Sequence, residues 1–196
     1  MLFKLRRRNF VKKKMTIQSQ PLLDALTGLS KEHIRFAETL HTLPDATLTR
    51  RPAAGGWNVL ECIEHLNRYS AYYLGAIQTC IRNAGSRPSA VYKPGWLGNY
   101  FSKVIHPDTS AKKMKTPLPM NAQDAPLTRS VLTAFISNQQ QLTCLLKEAQ
   151  QVNLGKEKTG TSISKLIRLK LGDTLRFVVY HNERHTRQAR KALAGA

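Results

Sequence analysis

The chain has 196 residues, 41% of them hydrophobic, and a formal net charge of +19 at pH 7. That length suits one domain with a substantial core, and no apolar run approaches the ~20 residues of a membrane-spanning helix, so no membrane partner is expected. The charge admits nucleic acid, an anionic surface or acidic small molecules as partners, while three scattered cysteines without a CxxC pair argue for a reducing, cytoplasmic setting and against a disulfide framework.

Residues 1–15, MLFKLRRRNFVKKKM, carry seven positive charges and no acid; removing them takes the formal charge from +19 to +12. The stretch lacks the apolar run of a secretory signal and reads as a basic, disordered leader, or as sequence upstream of a start at Met15. Residues 16–196 read as a single folded domain. A first helix is expected over about Ile17 to Leu43, where Leu22, Leu26, Leu29, Phe36, Ala37 and Leu40 recur at three- and four-residue spacing. Pro44 and Asp45 end it, and RRPAAGGWN is a connection broken by Pro and paired Gly.

A second helix runs from near Asn58 to about Ala84, with Leu60, Ile63, Leu66, Leu74 and Ile77 on one side and Gly85 as its stop. A connection of about 40 residues follows, too long for an ordinary helix–helix loop. Within it Trp96, Leu97, Tyr100, Phe101, Val104 and Ile105 predict a short packed helix. A third helix spans about Leu127 to Gln151 and a fourth about Leu171 to Ala194, separated by a polar connection. No repeat and no alternating strand pattern is evident. The expected fold is all-α: a four-helix bundle with a long crossover between the second and third helices.

YHNERHTRQ places His181 and His185 four residues apart on the last helix, about 40° apart round its axis, so both imidazoles can enter one pocket. Thr174, Phe177, Val178, His181, His185, Gln188 and Ala192 form one stripe, with Arg187, Arg190 and Lys191 largely off it. A buried imidazole needs a partner, and a metal or hydrogen bonds would each serve. Glu183, about 200° round from His181, points away and reads as a surface or helix-to-helix salt-bridge residue rather than a base. A third ligand must come from another helix. GGWNVLECIEHLNRY offers His65, with Glu61 and Tyr69 one turn away on either side and Tyr72 on the same face. His33, within the apolar stripe of the first helix, reads as a core histidine bonded to a neighbour; His41 and His106 have no assigned role.

The Gly-Trp turn into E-x-x-x-H-L, the long GWLGNYFSK…TPLP crossover and the closing H-x-x-x-H resemble the DinB-like superfamily of four-helix bundles, over about Ile17 to Leu193. The resemblance implies a three-histidine site for a divalent metal, carried here by His65, His181 and His185. Zinc or nickel is the expected ion; imidazole also suits iron and copper. It also implies a homodimer, a small-molecule substrate and a metal-activated low-molecular-weight thiol, which makes thiol transfer the favoured reaction and metal-dependent hydrolysis the alternative. Glu61 is then the candidate catalytic residue, orienting a ligand or moving a proton, and Tyr69, Tyr72, Arg184 and Gln188 the candidate substrate-binding residues. A basic nucleic-acid-binding or stress-response protein without catalysis, and a scaffold whose histidines only bond within the core, are the competing readings. No nucleic-acid motif supports the former.

Overall fold

The computed structural model describes residues 15–108, 115–164 and 166–195. The leader, apart from Met15, lies outside the described residues, as does most of the basic AKKMK piece. Among the described residues the chain is mostly helical: α1 Ser19–Leu40, α2 Asp45–Thr49, α3 Val59–Arg82, α4 Trp96–Ile105, α5 Ser130–Glu148 and α6 Leu171–Ala194. Four short strands accompany them: β1 Ile17–Gln18, β2 Val91–Tyr92, β3 Lys158–Gly160 and β4 Arg168–Lys170. β1 pairs antiparallel with β2, and β3 with β4.

The long helices fall where their apolar stripes predict them. α1 stops at Leu40, earlier than expected, and Pro44 caps the unanticipated α2 instead of ending α1. A proline disfavours helical backbone at the residue before it, so the chain has turned by Leu43. The mostly helical structure agrees with the all-α expectation, with small strands added that show no alternation in the sequence. Each strand is two or three residues long, below the length at which alternation shows in a sequence.

α3 starts sharply. Gly55 and Gly56 take φ of 77° and 108°, a left-handed turn that side chains resist. Asn58 then caps the helix: its side chain accepts from the Glu61 N–H at 2.9 Å, and the Glu61 carboxylate accepts from the Asn58 N–H at 2.9 Å. This reciprocal pair fixes where α3 begins, and hence the rotation of every later residue on it.

α1 packs against α5 and α6, and α3 against the same two helices. The interior divides into two apolar clusters. One holds Leu22 and Leu26 of α1, Tyr73 and Ile77 of α3, Leu142 and Leu146 of α5, and Leu171 and Leu175 of α6. The other holds Phe36 and Leu40, Ile63 and Leu66, Leu132 and Phe135, and Ala189 and Ala192 from the same helices. The order in which each helix visits the clusters gives its direction: α1 and α6 run one way, α3 and α5 the other. Between the clusters every long helix carries buried polar residues: Ser30 and His33, Ser70, Gln139, and Asn182 and Thr186.

The segment after α3 is fastened to α6 through α4. A Cβ on Gly98 would lie 2.4 Å from the Asp173 Cβ, so only glycine permits this approach. Beneath it the buried Asp173 carboxylate accepts from the Gly95 N–H at 2.7 Å and lies 3.6 Å from the Arg176 guanidinium. Gly98→Ala is therefore expected to push α4 off α6 and lower the unfolding free energy by roughly 1–3 kcal/mol, read from the urea midpoint. An unchanged midpoint would refute the close contact.

Candidate metal centre

His65 comes from α3 and His181 and His185 from α6. One nitrogen from each lies within 4.8 Å of the others, and the Nε2 atoms of His65 and His181 are 3.2 Å apart. Two nitrogens at ~2.0–2.1 Å from one tetrahedral ion would be separated by about 3.3 Å, so this pair already has the spacing of ligands. His65 and His181 are buried, and His185 is half-buried, which leaves its side as the approach from solvent.

Two of the rings have a readable tautomer. His65 Nδ1 lies 2.7 Å from the Met120 carbonyl oxygen, and His185 Nδ1 lies 2.9 Å from Gln188 Oε1. Both oxygens only accept, so each Nδ1 carries the proton and each Nε2 keeps its lone pair. This is the arrangement by which an outer carbonyl orients a metal-binding imidazole. Arg68 of α3 donates to the Asn121 carbonyl, holding the turn that presents Met120.

Aromatic rings wall the site. Trp57 lies 4.8 Å from the His65 ring and stacks on His185 at 5.8 Å. Tyr69 lies 4.9 Å from His65 and 4.5 Å from His181, and Phe177 stacks on His181 at 5.8 Å. Burial among these groups disfavours imidazolium. It drives His65 down to about 4 despite the opposing Met120 bond. Burial and the neighbouring His65 take His185 to about 3, and burial with both neighbours holds His181 well below its ordinary value. Three neutral imidazoles are the form that binds a metal, and this donor set fits a divalent ion.

The other expected site residues separate. Tyr69 and Gln188 are at the imidazoles, Gln188 as the partner of His185. Tyr72 instead makes its ring contact with Tyr73 at 5.1 Å, with its hydroxyl close to Gly160 of β3. Arg184 is half-buried, with its guanidinium 3.5 Å from the Val104 carbonyl of α4. Glu61 is buried, and its carboxylate accepts from the Asn58 and Asp124 N–H groups and from Arg51, each within 2.9 Å. It locks the start of α3 to Asp124, in the segment before α5; these bonds do not run to the imidazoles.

Glu183 turns towards α1, where it meets His33 Nε2 at 2.9 Å, and it also pairs with Arg187. Burial alone would raise its carboxyl, but these two partners hold it below the ordinary range. Trp57 and the Met120 carbonyl were missed from the sequence. Trp57 had a signal, the Gly-Gly turn that fixes it at the mouth of α3. A backbone carbonyl forty residues into a connection has none.

A helical domain in which two helices bring three neutral imidazoles together, with an approach on one side, is the class of a candidate metal-binding protein. The family model of the DinB superfamily matches residues 29–189, and the chain belongs to that superfamily. No curated protein and no solved structure matches it. No helix is long and apolar enough to cross a membrane, among the described residues.

The depressed imidazoles set a pH dependence. Between about 6.5, the unfolded value, and about 4, the unfolded chain takes up protons that folded His65 refuses, so stability is full above that window and is lost as pH falls through it. For the metal-free protein, the loss from His65 alone by pH 4.5 is on the order of 2 kcal/mol, measured by urea unfolding against a His65→Gln variant. Parallel pH profiles for the two proteins would contradict a neutral, buried His65.

Proposed function

We propose that this protein is a divalent-metal-dependent enzyme built as a four-helix bundle, with segment 83–129 as the crossover, and that it transfers a low-molecular-weight thiol to a small-molecule electrophile. The observation that carries the metal reading is the convergence of three imidazoles, two of them bonded through Nδ1 to carbonyl oxygens so that each keeps its Nε2 lone pair. His65, His181 and His185 would hold the ion, zinc or nickel. When bound, it supplies the positive charge that brings a coordinated thiol or water towards ionisation near neutrality.

The remaining work falls to the chain. Met120 and Gln188 hold two imidazoles in the binding tautomer. Trp57, Tyr69 and Phe177 exclude water from the inner side, which strengthens the interaction between a thiolate and any positive group there. Solvent reaches the site past His185. Arg184, one residue from it, is the group we assign to a carboxylate of the thiol or substrate. Tyr72 is assigned to the outer edge of the substrate path. Glu61 serves as a positioning residue, through the cap that sets the rotation of His65. Thiol transfer is preferred to hydrolysis on the resemblance to the superfamily, and a homodimer is the expected assembly.

Protein purified without a histidine tag is expected to carry about one divalent ion per chain, by elemental analysis. His65→Ala and His185→Ala should each lose it while retaining helical circular dichroism. With the ion present, a screen of common thiols against a generic electrophile should show turnover that His181→Ala lowers by at least about 100-fold. No stoichiometric metal, even after titration, would overturn the metal reading; metal without turnover would overturn only the transferase.

A further inference from the structure

The outer face of α4 carries Trp96, 84% exposed, and Tyr100, 58% exposed, one turn apart. The two rings lie together, and it is contiguous exposed apolar groups, not scattered ones, that mark surfaces that bind. Its inner neighbours explain why the helix is there: Phe101 packs on Phe177, which stacks on His181. They do not explain the two outward rings.

The surroundings of the rings are basic. Lys103, seven residues after Trp96 and on the same stripe, is exposed, as is Lys93. Lys93, Lys170, Asn99 and Met15 line, with Trp96, an open cleft of about 500 Å³. The nearest carboxylate, Asp173, is fully buried under Gly95 and already bonded to its N–H and paired with Arg176. The sequence has no acid between Glu64 and Asp108.

We propose that this face docks on an anionic lipid bilayer, with Trp96 and Tyr100 entering the headgroup–acyl boundary and Lys93, Lys170 and Lys103 meeting lipid phosphates. Tryptophan and tyrosine beside lysines is the composition that suits a membrane interface, where an amphipathic ring buries its body and keeps its polar edge wet. The adjoining Met15 and Val91, 43% and 37% exposed, add apolar contact of no use to a phosphate-only ligand. Lysine rather than arginine predominates in the patch, which fits a diffuse phosphate surface better than bidentate reading of nucleotides. Such docking needs no spanning helix, so the lack of one does not bear on it. The proposal is independent of the histidine site.

The test is co-sedimentation of the full-length protein with phosphatidylcholine vesicles, with and without about a third phosphatidylglycerol, at physiological salt. Partitioning is expected to be at least about 10-fold stronger on the anionic vesicles, and Trp96→Ser with Tyr100→Ser should lower it by about 10-fold. Both side chains are exposed, so circular dichroism should show the double variant folded. Chain-brominated lipid should quench tryptophan emission in the native protein but not in Trp96→Ser. Equal binding by the double variant would show attraction by charge alone and overturn the docking face. Absence of quenching, or of binding to anionic vesicles, would overturn it too, as would Trp96-dependent binding to single-stranded RNA without vesicle binding.

Discussion

Three consecutive side chains fix α6 about its own axis. His181 turns to α3, where its Nε2 meets His65 at 3.2 Å; Asn182 reaches α5, where its amide donates to Gln139 at 3.2 Å; Glu183 turns to α1 and His33 at 2.9 Å. Successive residues of a helix are about 100° apart, so three polar contacts in a row can satisfy three different neighbours. All lie in the stratum between the two apolar clusters, where unpaired polar groups are costly. A rotation of α6 by one residue would break all three at once. The position of the histidine pair thus follows from the hydrogen-bond demands of the core as well as from the pocket.

The same stratum sets the chemistry. Charged imidazoles are excluded by burial, and the protons that remain on His65 and His185 are held by carbonyl oxygens on the far side of each ring. Without a cation the His181 Nε2–H donates to the His65 Nε2 lone pair; shifting that proton frees a second lone pair towards the same place, where a cation can be held. The segment between α4 and α5 is part of this device: its Met120 carbonyl sets one tautomer, and its Asp124 N–H is bound by the Glu61 carboxylate at the start of α3.

The long helices were legible because their apolar residues recur every three or four positions, and His181 and His185 because four-residue spacing on α6 gives them one shared direction; His65 joined them only through the resemblance to the superfamily. The strands were not legible, being two or three residues each, nor was α2, a five-residue helix. Glu61 is the instructive case. Its four-residue spacing from His65 puts it on the same helix face, which suggested a part in the chemistry. The pattern Asn58-Val-Leu-Glu61 is also a capping box, and that is where the structure spends its carboxylate. Tyr72 shares that face of α3, and its hydroxyl lies near β3, whose position the sequence did not disclose. Met120 acts through its backbone, which leaves no trace in side-chain patterning.

The central claim is that the histidines meet through Nε2 while Nδ1 of His65 and His185 stays protonated. It is tested most directly by ¹⁵N-edited NMR of the histidine side chains during titration of tag-free, metal-free protein with zinc. The account predicts that the Nε2 signals of His65, His181 and His185 move to metal-bound positions at one equivalent, with the Nδ1 protons of His65 and His185 retained. Zinc that leaves these signals in place, or that binds through Nδ1 of His65, would contradict it.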